Sequence, residues 1–338
     1  MTTGVAILGA GRIGGSYIGV VKATANVEML VVAEPRGEQT APLREKHPDV
    51  EFVKDYTEVL ARDNVKIVIG ALPHGLHKQA AIDAANAGKH IFMEKPLAIW
   101  VSEADEMLAV AKANGVKLMT AHTQRYYPAV KAMKQIIDSK RLGDLIMAYD
   151  TWHKPFDLPS RPAWMLDRRA GGGMGLMDGT HEIDRLLWLI GSDLETVSAQ
   201  VGAFAHPQIN ADDTGMYFLR WKSGVVATVS RMAWIVGATA AGAEFFFTKG
   251  QARFQLQPSV GLWVADTSGG TWREEPVEQT SSLADEFGDF VAAIERGDED
   301  TPIPQEHGRL VIQVLEATEE SARTGREVVI GIREQRIR

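Results

Sequence analysis

Two hydrophobic rhythms divide this chain. In the first third, short apolar runs alternate with stretches of helical spacing. Val5-Ala-Ile-Leu8 reads as a buried strand, as do Val27–Ala33, Lys66–Leu72 (stopped by Pro73), Lys89–Met93 and Val116–Thr123. Between them, Ile13, Tyr17, Val20 and Val21 repeat with helical spacing, and polar helices are expected at Glu38–Lys46 and Asp55–Arg62. A helix over Gly75–Ala87 should end at Gly88. Another, capped by Ser102 with Asp105 three residues on, should close at Gly115. Regular alternation of strand and helix predicts a parallel sheet covered on both faces.

After residue 124 the rhythm changes. A helix at Pro128–Ser139 leads to a strand at Asp144–Trp152, then to a loop rich in Pro, Trp and Arg (155–170) and the cluster Gly171-Gly172-Gly173. Ile183, Leu186, Leu187 and Ile190 mark the apolar face of the next helix, which Gly191 ends. Residues 194–275 read as successive strands, with hairpin turns at Lys222-Ser223-Gly224 and Thr248-Lys249-Gly250. Two helices (282–296 and 305–324) and a last strand, Glu327–Ile332, complete the chain. Strand following strand argues for an open, mostly antiparallel sheet with helices on one face. The expected organisation is an α/β domain over 1–123 followed by an α+β domain over 124–338.

Composition narrows the function. A chain of 338 residues is long enough for two cores. The net charge of −8 leaves no basic surplus to displace counterions, so nucleic acid is not expected as a partner. Arg333–Arg338 reads as a solvated tail. There is no cysteine, which excludes disulfides, thiolate nucleophiles and cysteine-ligated metals. No compact carboxylate–histidine ligand set stands out, so no metal is expected. No apolar run reaches the ~18 residues of a membrane helix. The first strand opens at Gly4, leaving no room for a signal peptide. A reducing cytoplasm and no membrane partner are therefore expected.

The chemistry starts at Gly9-Ala10-Gly11-Arg12-Ile13-Gly14, a Gly-x-Gly-x-x-Gly turn between strand and helix. Gly9 permits the tight turn, Gly11 lets a pyrophosphate approach the backbone, and Gly14 lets helix and strand pack closely. Glu34 ends the second strand twenty residues beyond Gly14, where an adenosine ribose lies in a Rossmann fold. Its carboxylate would accept from a ribose diol and repel a 2′-phosphate, favouring NAD. Arg36 keeps NADP open, since a guanidinium there can hold a phosphate. Glu94-Lys95-Pro96 follows a buried strand at the sheet's carboxyl edge, where ligands bind in such folds. Two readings of Lys95 stand at this point: an ammonium stabilising a substrate alkoxide, or a turn lysine paired with Glu94.

These pieces resemble the Gfo/Idh/MocA oxidoreductases, the glucose–fructose oxidoreductase and inositol dehydrogenase group. The resemblance rests on Gly9–Gly14, Ala71-Leu72-Pro73-His74 with His77, Glu94-Lys95-Pro96, and Gly171–Gly173 leading to His181-Glu-Ile-Asp184 and Leu187-Trp-Leu-Ile-Gly191. It implies a Rossmann domain binding NAD(P), and a C-terminal domain that closes the substrate cleft and mediates a homodimer or homotetramer through its sheet. Sugars, inositols and related polyols are the implied substrates. Lys95 matches the family's active-site lysine and His181 its catalytic histidine. A histidine can take a proton near neutral pH, and its near neighbours on a helix, Asp178 and Asp184, can orient the imidazole or raise its basicity, so Asp178 joins Lys95 and His181 as an expected catalytic residue. The other reading of His181 is a histidine bonded to a helix-end carbonyl. Family members often carry an aspartate four residues before this histidine. Here that place is Met177 and the acid is Asp178.

The remaining candidates complete the expected site. Arg12, Ile13, Leu72, Pro73, His74, His77, Glu94 and Gln124 join the cofactor residues, with capping an equal alternative for His77. Arg125, Tyr126, His153 and Trp164 join Lys95, Asp178 and His181 in binding substrate. Trp152, Arg161 and Arg168 extend that wall, unless the loop is simply packed on its tryptophan. The expected reaction is NAD-dependent oxidation of a secondary hydroxyl, with Lys95 and His181 meeting in one crevice beside the redox ring. Ketone reduction, a redox-neutral elimination or hydrolysis, and a non-enzymatic nucleotide sensor are the alternatives.

Overall fold

The computed structural model describes residues 2–234, 236–266, 269–278 and 280–331. The expected tail Arg333–Arg338 and the end of the strand expected at Glu327–Ile332 lie outside them. The chain forms two compact units. The first joins Met1–Tyr126 to Ser281–Leu310, and the second joins Tyr127–Thr280 to the chain from Val311 on.

In the first unit, β1 (Thr3–Leu8), β2 (Val27–Ala33), β3 (Glu51–Val53), β4 (Val65–Gly70), β5 (His90–Glu94) and β6 (Leu118–Ala121) build one sheet. Its order is β3-β2-β1-β4-β5-β6, with every pair parallel. Helices α1 (Arg12–Ala23), α2 (Gly37–Lys46), α3 (Tyr56–Leu60), α4 (His77–Asn86) and α5 (Val101–Ala113) cross between the strands. Ala80, Ala84, Met107 and Ala111 are buried in one hydrophobic layer of this unit. Tyr17, Ile18 and Val21 are buried in a second layer, together with Phe287 and Phe290 from the helix Ser282–Arg296. Those two phenylalanines meet Phe92 of β5 at ring-centroid distances of 5.4 and 5.5 Å. Residues 281–310 therefore return to the first unit, across the 124–338 division expected from sequence, because their apolar face completes its core.

Two local expectations change. The helix expected to be capped by Ser102 is instead capped two residues earlier, with Trp100 at its N-cap and no side-chain cap. Glu103 instead accepts the Ile99 N–H at 3.1 Å, and Asp105 pairs with Arg309. Ile13, counted in the apolar stripe of α1, is 38% exposed, and Ile18 takes its place in the core.

The second unit contains α6 (Pro128–Asp138), β7 (Leu145–Pro155) and a π-helical turn, Gly175–Gly179, that runs into α7 (Thr180–Ile190). Then come β8 (Leu194–Gly202), β9 (Thr214–Trp221), β10 (Val226–Trp234), β11 (Ala240–Phe247), β12 (Gly250–Gln257), β13 (Gly261–Ala265) and β14 (Arg273–Glu275). After α8 (Ser282–Arg296, in the first unit), α9 (Gln305–Thr324) leads to β15 (Val328–Val329). The nine strands are ordered β14-β13-β12-β11-β7-β10-β9-β8-β15. All pairs are antiparallel except β7–β10. Alternation is strict along β9, where Tyr217, Leu219 and Trp221 are buried while Met216 (62%) and Phe218 (44%) are exposed. Helices α6 and α7 pack against this sheet.

Candidate active site

In the first unit the parallel strands all deliver their carboxyl ends to one edge. Because β1 lies between β2 and β4, the glycine turn meets both neighbours at the point where strand order reverses. Gly9 has φ of +94°, and a Cβ there would lie 2.4 Å from the Ala71 carbonyl oxygen. A Cβ on Gly14 would lie 1.9 Å from the Gly9 oxygen. Gly11 differs: a Cβ on it would meet no heavy atom within 4 Å. It is the N-cap of α1 and supplies no side-chain cap, which leaves the helix's first N–H groups aimed at open space.

Glu34 is buried at the end of β2. It accepts the Ala10 N–H at 2.9 Å, the Arg36 N–H at 3.1 Å, and the Arg36 guanidinium at 2.7 and 3.0 Å. Burial works against its charge, but the Arg36 guanidinium and the two backbone donors outweigh it and hold the carboxyl below the usual range. The Arg36 side chain is half exposed.

At the ends of β4 and β5, His77 is fully buried. Its Nδ1 faces the Pro96 carbonyl oxygen at 2.8 Å and its Nε2 faces that of Leu72 at 2.9 Å. It thus ties the turn after β4 to the Lys95–Pro96 turn, where the peptide is cis. Burial pushes its imidazole pKa down, opposed by the carbonyls and assisted by the Lys95 charge. His74 stands edge-on to it, ring centroids 5.7 Å apart. Glu94 accepts from the Tyr17 hydroxyl at 2.8 Å and from the Lys95 N–H at 3.2 Å. Burial raises the Glu94 carboxyl pKa beyond what these donors and the Lys95 charge reverse. Gln124, Arg125 and Tyr126 are buried on a short 3₁₀ turn, Thr123–Tyr126, packed against α8. Tyr126 belongs to the core beside Phe287, and its hydroxyl engages Asp289.

In the second unit β7 and the run from the π turn into α7 meet in three rungs. Asp150 pairs with Arg185 through two bonds, 2.5 and 3.1 Å, with both side chains fully buried. Trp152 stacks on His181, ring centroids 5.7 Å apart and planes 26° from parallel. Lys154 pairs with Asp178 at 2.5 Å, its ammonium 5.6 Å from the Trp152 ring centroid. The geometry explains the match. Residues 150, 152 and 154 share one face of a strand at about 6.6 Å per step. Residues 185, 181 and 178 descend one helix face at about 4.5–6 Å per step. The π turn carries Asp178 to the third rung; such turns recur at functional sites.

Other expected residues fall elsewhere. His153, one residue off in strand parity, lies on the opposite sheet face and contacts Ser230 Oγ at 2.9 Å. Trp164 lies on the turn Ala163–Leu166. A Cβ on Gly172 would stand 2.4 Å from the Met165 carbonyl oxygen and 2.6 Å from that of Trp164, so the glycine cluster locks this loop by its backbone. Arg168 is held by Glu319 at 2.5 Å, and Arg161 stacks on Phe156 at 4.8 Å.

Comparison with known proteins decides the family. The model described as "Oxidoreductase family, NAD-binding Rossmann fold" matches residues 3–122, and the GFO/IDH/MocA C-terminal domain matches residues 130–253. The chain belongs to the Gfo/Idh/MocA oxidoreductase family. It is similar to an inositol 2-dehydrogenase of Rhizobium meliloti, 26% identical over 98% of this chain and all of that one. A 2,7-anhydro-N-acetylneuraminate hydratase of Mediterraneibacter gnavus is 29% identical over 64% of this chain and 58% of its own length. The crystal structure of an oxidoreductase domain protein from Kribbella flavida shares the fold, with a TM-score of 0.87 at 22% identity over 98% of this chain and 100% of that one.

As a Gfo/Idh/MocA protein, the chain is an NAD(P)-dependent oxidoreductase, and its glycine edge fits the cofactor. Gly11 leaves room for an anion at the uncapped N-terminus of α1, and the Glu34 carboxylate lies at the carboxyl end of the neighbouring β2. Among the described residues no helix is long and apolar enough to cross a membrane. Sequence reasoning missed two parts of the site in this Gfo/Idh/MocA chain. Lys154 was lost because the strand was expected to stop at Trp152, although Asp150, Trp152 and Lys154 share the strand period. The second is Arg231, fully buried behind the π turn, where it holds Glu182 at 3.2 Å, Asp212 at 3.3 Å and the Tyr217 hydroxyl. Asp212 in turn accepts the Gly175 N–H at 2.8 Å.

Proposed function

We propose that this enzyme oxidises a secondary hydroxyl of a sugar, inositol or related polyol, with NAD as the preferred cofactor. The observation that carries the reading is the three-rung face of β7 and α7. It sets an imidazole, an ammonium, a carboxylate and an indole together in a chain whose other unit has the NAD-binding fold. His181 accepts the hydroxyl proton, and the Lys95 ammonium stabilises the oxygen as its negative charge grows, an interaction that strengthens towards the transition state. NAD, when bound, supplies the hydride acceptor. Gly9, Gly11 and Gly14 would admit its pyrophosphate, Glu34 would accept from its ribose diol, and the residues after β4 and β5 would hold the nicotinamide side. The second unit carries substrate recognition. Its exposed sheet face, with Met147, Tyr149, Met216 and Phe218, is covered by a second copy of the chain.

The test is NADH absorbance on a panel of sugars, inositols and hydroxy acids, with NAD and NADP in parallel. Turnover of a neutral polyol supports the reading; turnover confined to other classes discards it. Similarity to a protein named a hydratase favours one second reading, redox-neutral chemistry with transient oxidation. Product formation without net NADH at catalytic NAD would establish it.

A further inference from the structure

We propose that Lys154 and Asp178 form a substrate-recognition pair. Beside Trp152 they read one hydroxyl of a neutral polyhydroxylated substrate, distinct from the hydroxyl that His181 deprotonates. The inference rests on the polyol reading above and deepens it.

Three observations converge on this pair. First, the ammonium and the carboxylate lie 2.5 Å apart and are largely but not wholly buried, with side chains 21% and 9% exposed. An ammonium has three donors and a carboxylate about four acceptor sites, and Asp178 Oδ2, though in ion-pair contact with Lys154, is buried without a hydrogen-bond partner among the described residues. A hydroxyl, which both donates and accepts, fits between them. Second, the indole Nε1–H of Trp152 is buried with no acceptor among the described residues. A buried donor left unmade is costly, and a substrate hydroxyl oxygen is the acceptor it lacks. Third, the pair carries no net charge. The next cation along the face, Arg185, is already neutralised by Asp150. A neutral polyol meets no electrostatic penalty here, whereas a substrate carboxylate would face Asp178.

The same alignment makes Lys154 a specificity residue. It sits one strand step beyond Trp152, on the face that carries His181. Replacing it removes a donor without touching the imidazole.

The experiment compares wild type, Lys154→Met, Lys154→Arg and Asp178→Asn on the best neutral polyol of the panel and on its series of monodeoxy analogues. Lys154→Met and Asp178→Asn should each raise KM for the parent polyol about 10- to 100-fold, the range of a hydrogen bond to a charged group, with KM for NAD unchanged. One monodeoxy analogue should suffer the same loss with wild type and no further loss with Lys154→Met. Lys154→Arg, which keeps the cation, should recover most of the loss. Unchanged KM in Lys154→Met, or equal penalties for every analogue in wild type and variant, overturns the proposal. Calorimetric titration of myo-inositol into the NADH-bound protein separates the two readings. Binding that Lys154→Met weakens, in an enzyme that oxidises no polyol, leaves the pair standing and the dehydrogenase reading fallen. No binding by wild type, with no polyol oxidised, ends both.

Discussion

The imidazole of His181 lies stacked against the indole of Trp152, 5.7 Å between ring centroids, between a fully buried ion pair on one side and a partly buried one on the other. A base held this way by its neighbours is pre-oriented before substrate arrives. Replacing His181 or Lys95 with alanine should therefore lower turnover by at least ~10²-fold while NAD affinity stays near wild type. Steady-state kinetics with fluorescence titration of NADH checks both halves, and near-normal turnover in the two variants would discard their assigned roles.

Cofactor choice turns on Glu34 and Arg36. Glu34→Ala removes the carboxylate proposed to meet a ribose diol and frees the guanidinium it now holds, so NAD should lose more kcat/KM than NADP. Arg36→Ala should do the reverse, leaving NAD use intact and abolishing residual NADP use. Unchanged preference in Glu34→Ala would take that residue out of the cofactor site.

The first rung, Asp150 with Arg185, is a stability element. Asp150 and Arg185 have no exposed side-chain surface, so Asp150→Asn leaves a buried guanidinium uncompensated. Losing one partner of such a pair costs about 3–5 kcal/mol. Urea denaturation should show the loss, and a change below about 1 kcal/mol would mean that water reaches the pair.

Much of this architecture was legible in the sequence. The parallel sheet and the helix 282–296 were legible because each buries a continuous apolar stripe, and the glycine turn because of its Gly-x-Gly-x-x-Gly spacing. The pairing of Lys154 with Asp178 was not, although its parity was there to read. It depends on a π turn whose wider coil no local spacing announces. The Arg231 cluster was hidden for another reason: a lone arginine in a strand gives no sign that Glu182, Asp212 and Tyr217, far apart in sequence, close around it. The buried His77 bridge between two carbonyls depends likewise on strand order.

Stability should also depend on pH. Burial, with Asp150 nearby and against the attraction of Arg231, pushes the Glu182 pKa up to about 8. Asp150, Glu182 and Asp212 face Arg185 and Arg231, so one retained proton balances the cluster. Between the ordinary glutamate value and that raised value, the folded chain holds a proton the unfolded chain has lost. Stability therefore falls as pH rises through this window. Above the ordinary histidine range, where buried His77 no longer adds an opposing slope, thermal midpoints should decline from about pH 7 towards about pH 9, and Glu182→Gln should flatten the decline. A midpoint that rises with pH over that range contradicts the assignment.

Association should follow the sheet. Met216 and Phe218 project from the exposed face of β9, 62% and 44% accessible. A charge at each, Met216→Glu with Phe218→Glu, should shift light-scattering mass to that of one chain and leave circular dichroism unchanged. A mass unchanged in the double variant would move the interface to another surface.

The return of Phe287 and Phe290 to the flank of Phe92 has a consequence for biosynthesis. When Tyr126 has left the ribosome, all six strands of the first sheet exist, yet one flank still lacks its lid and stays sticky. That lid comes only with Ser281–Leu310, after the strands from β7 to β14 of the second unit. The first unit thus closes only after most of the second unit's sheet has been made, and a chain cut after Tyr126 would yield an aggregating fragment instead of a free-standing module.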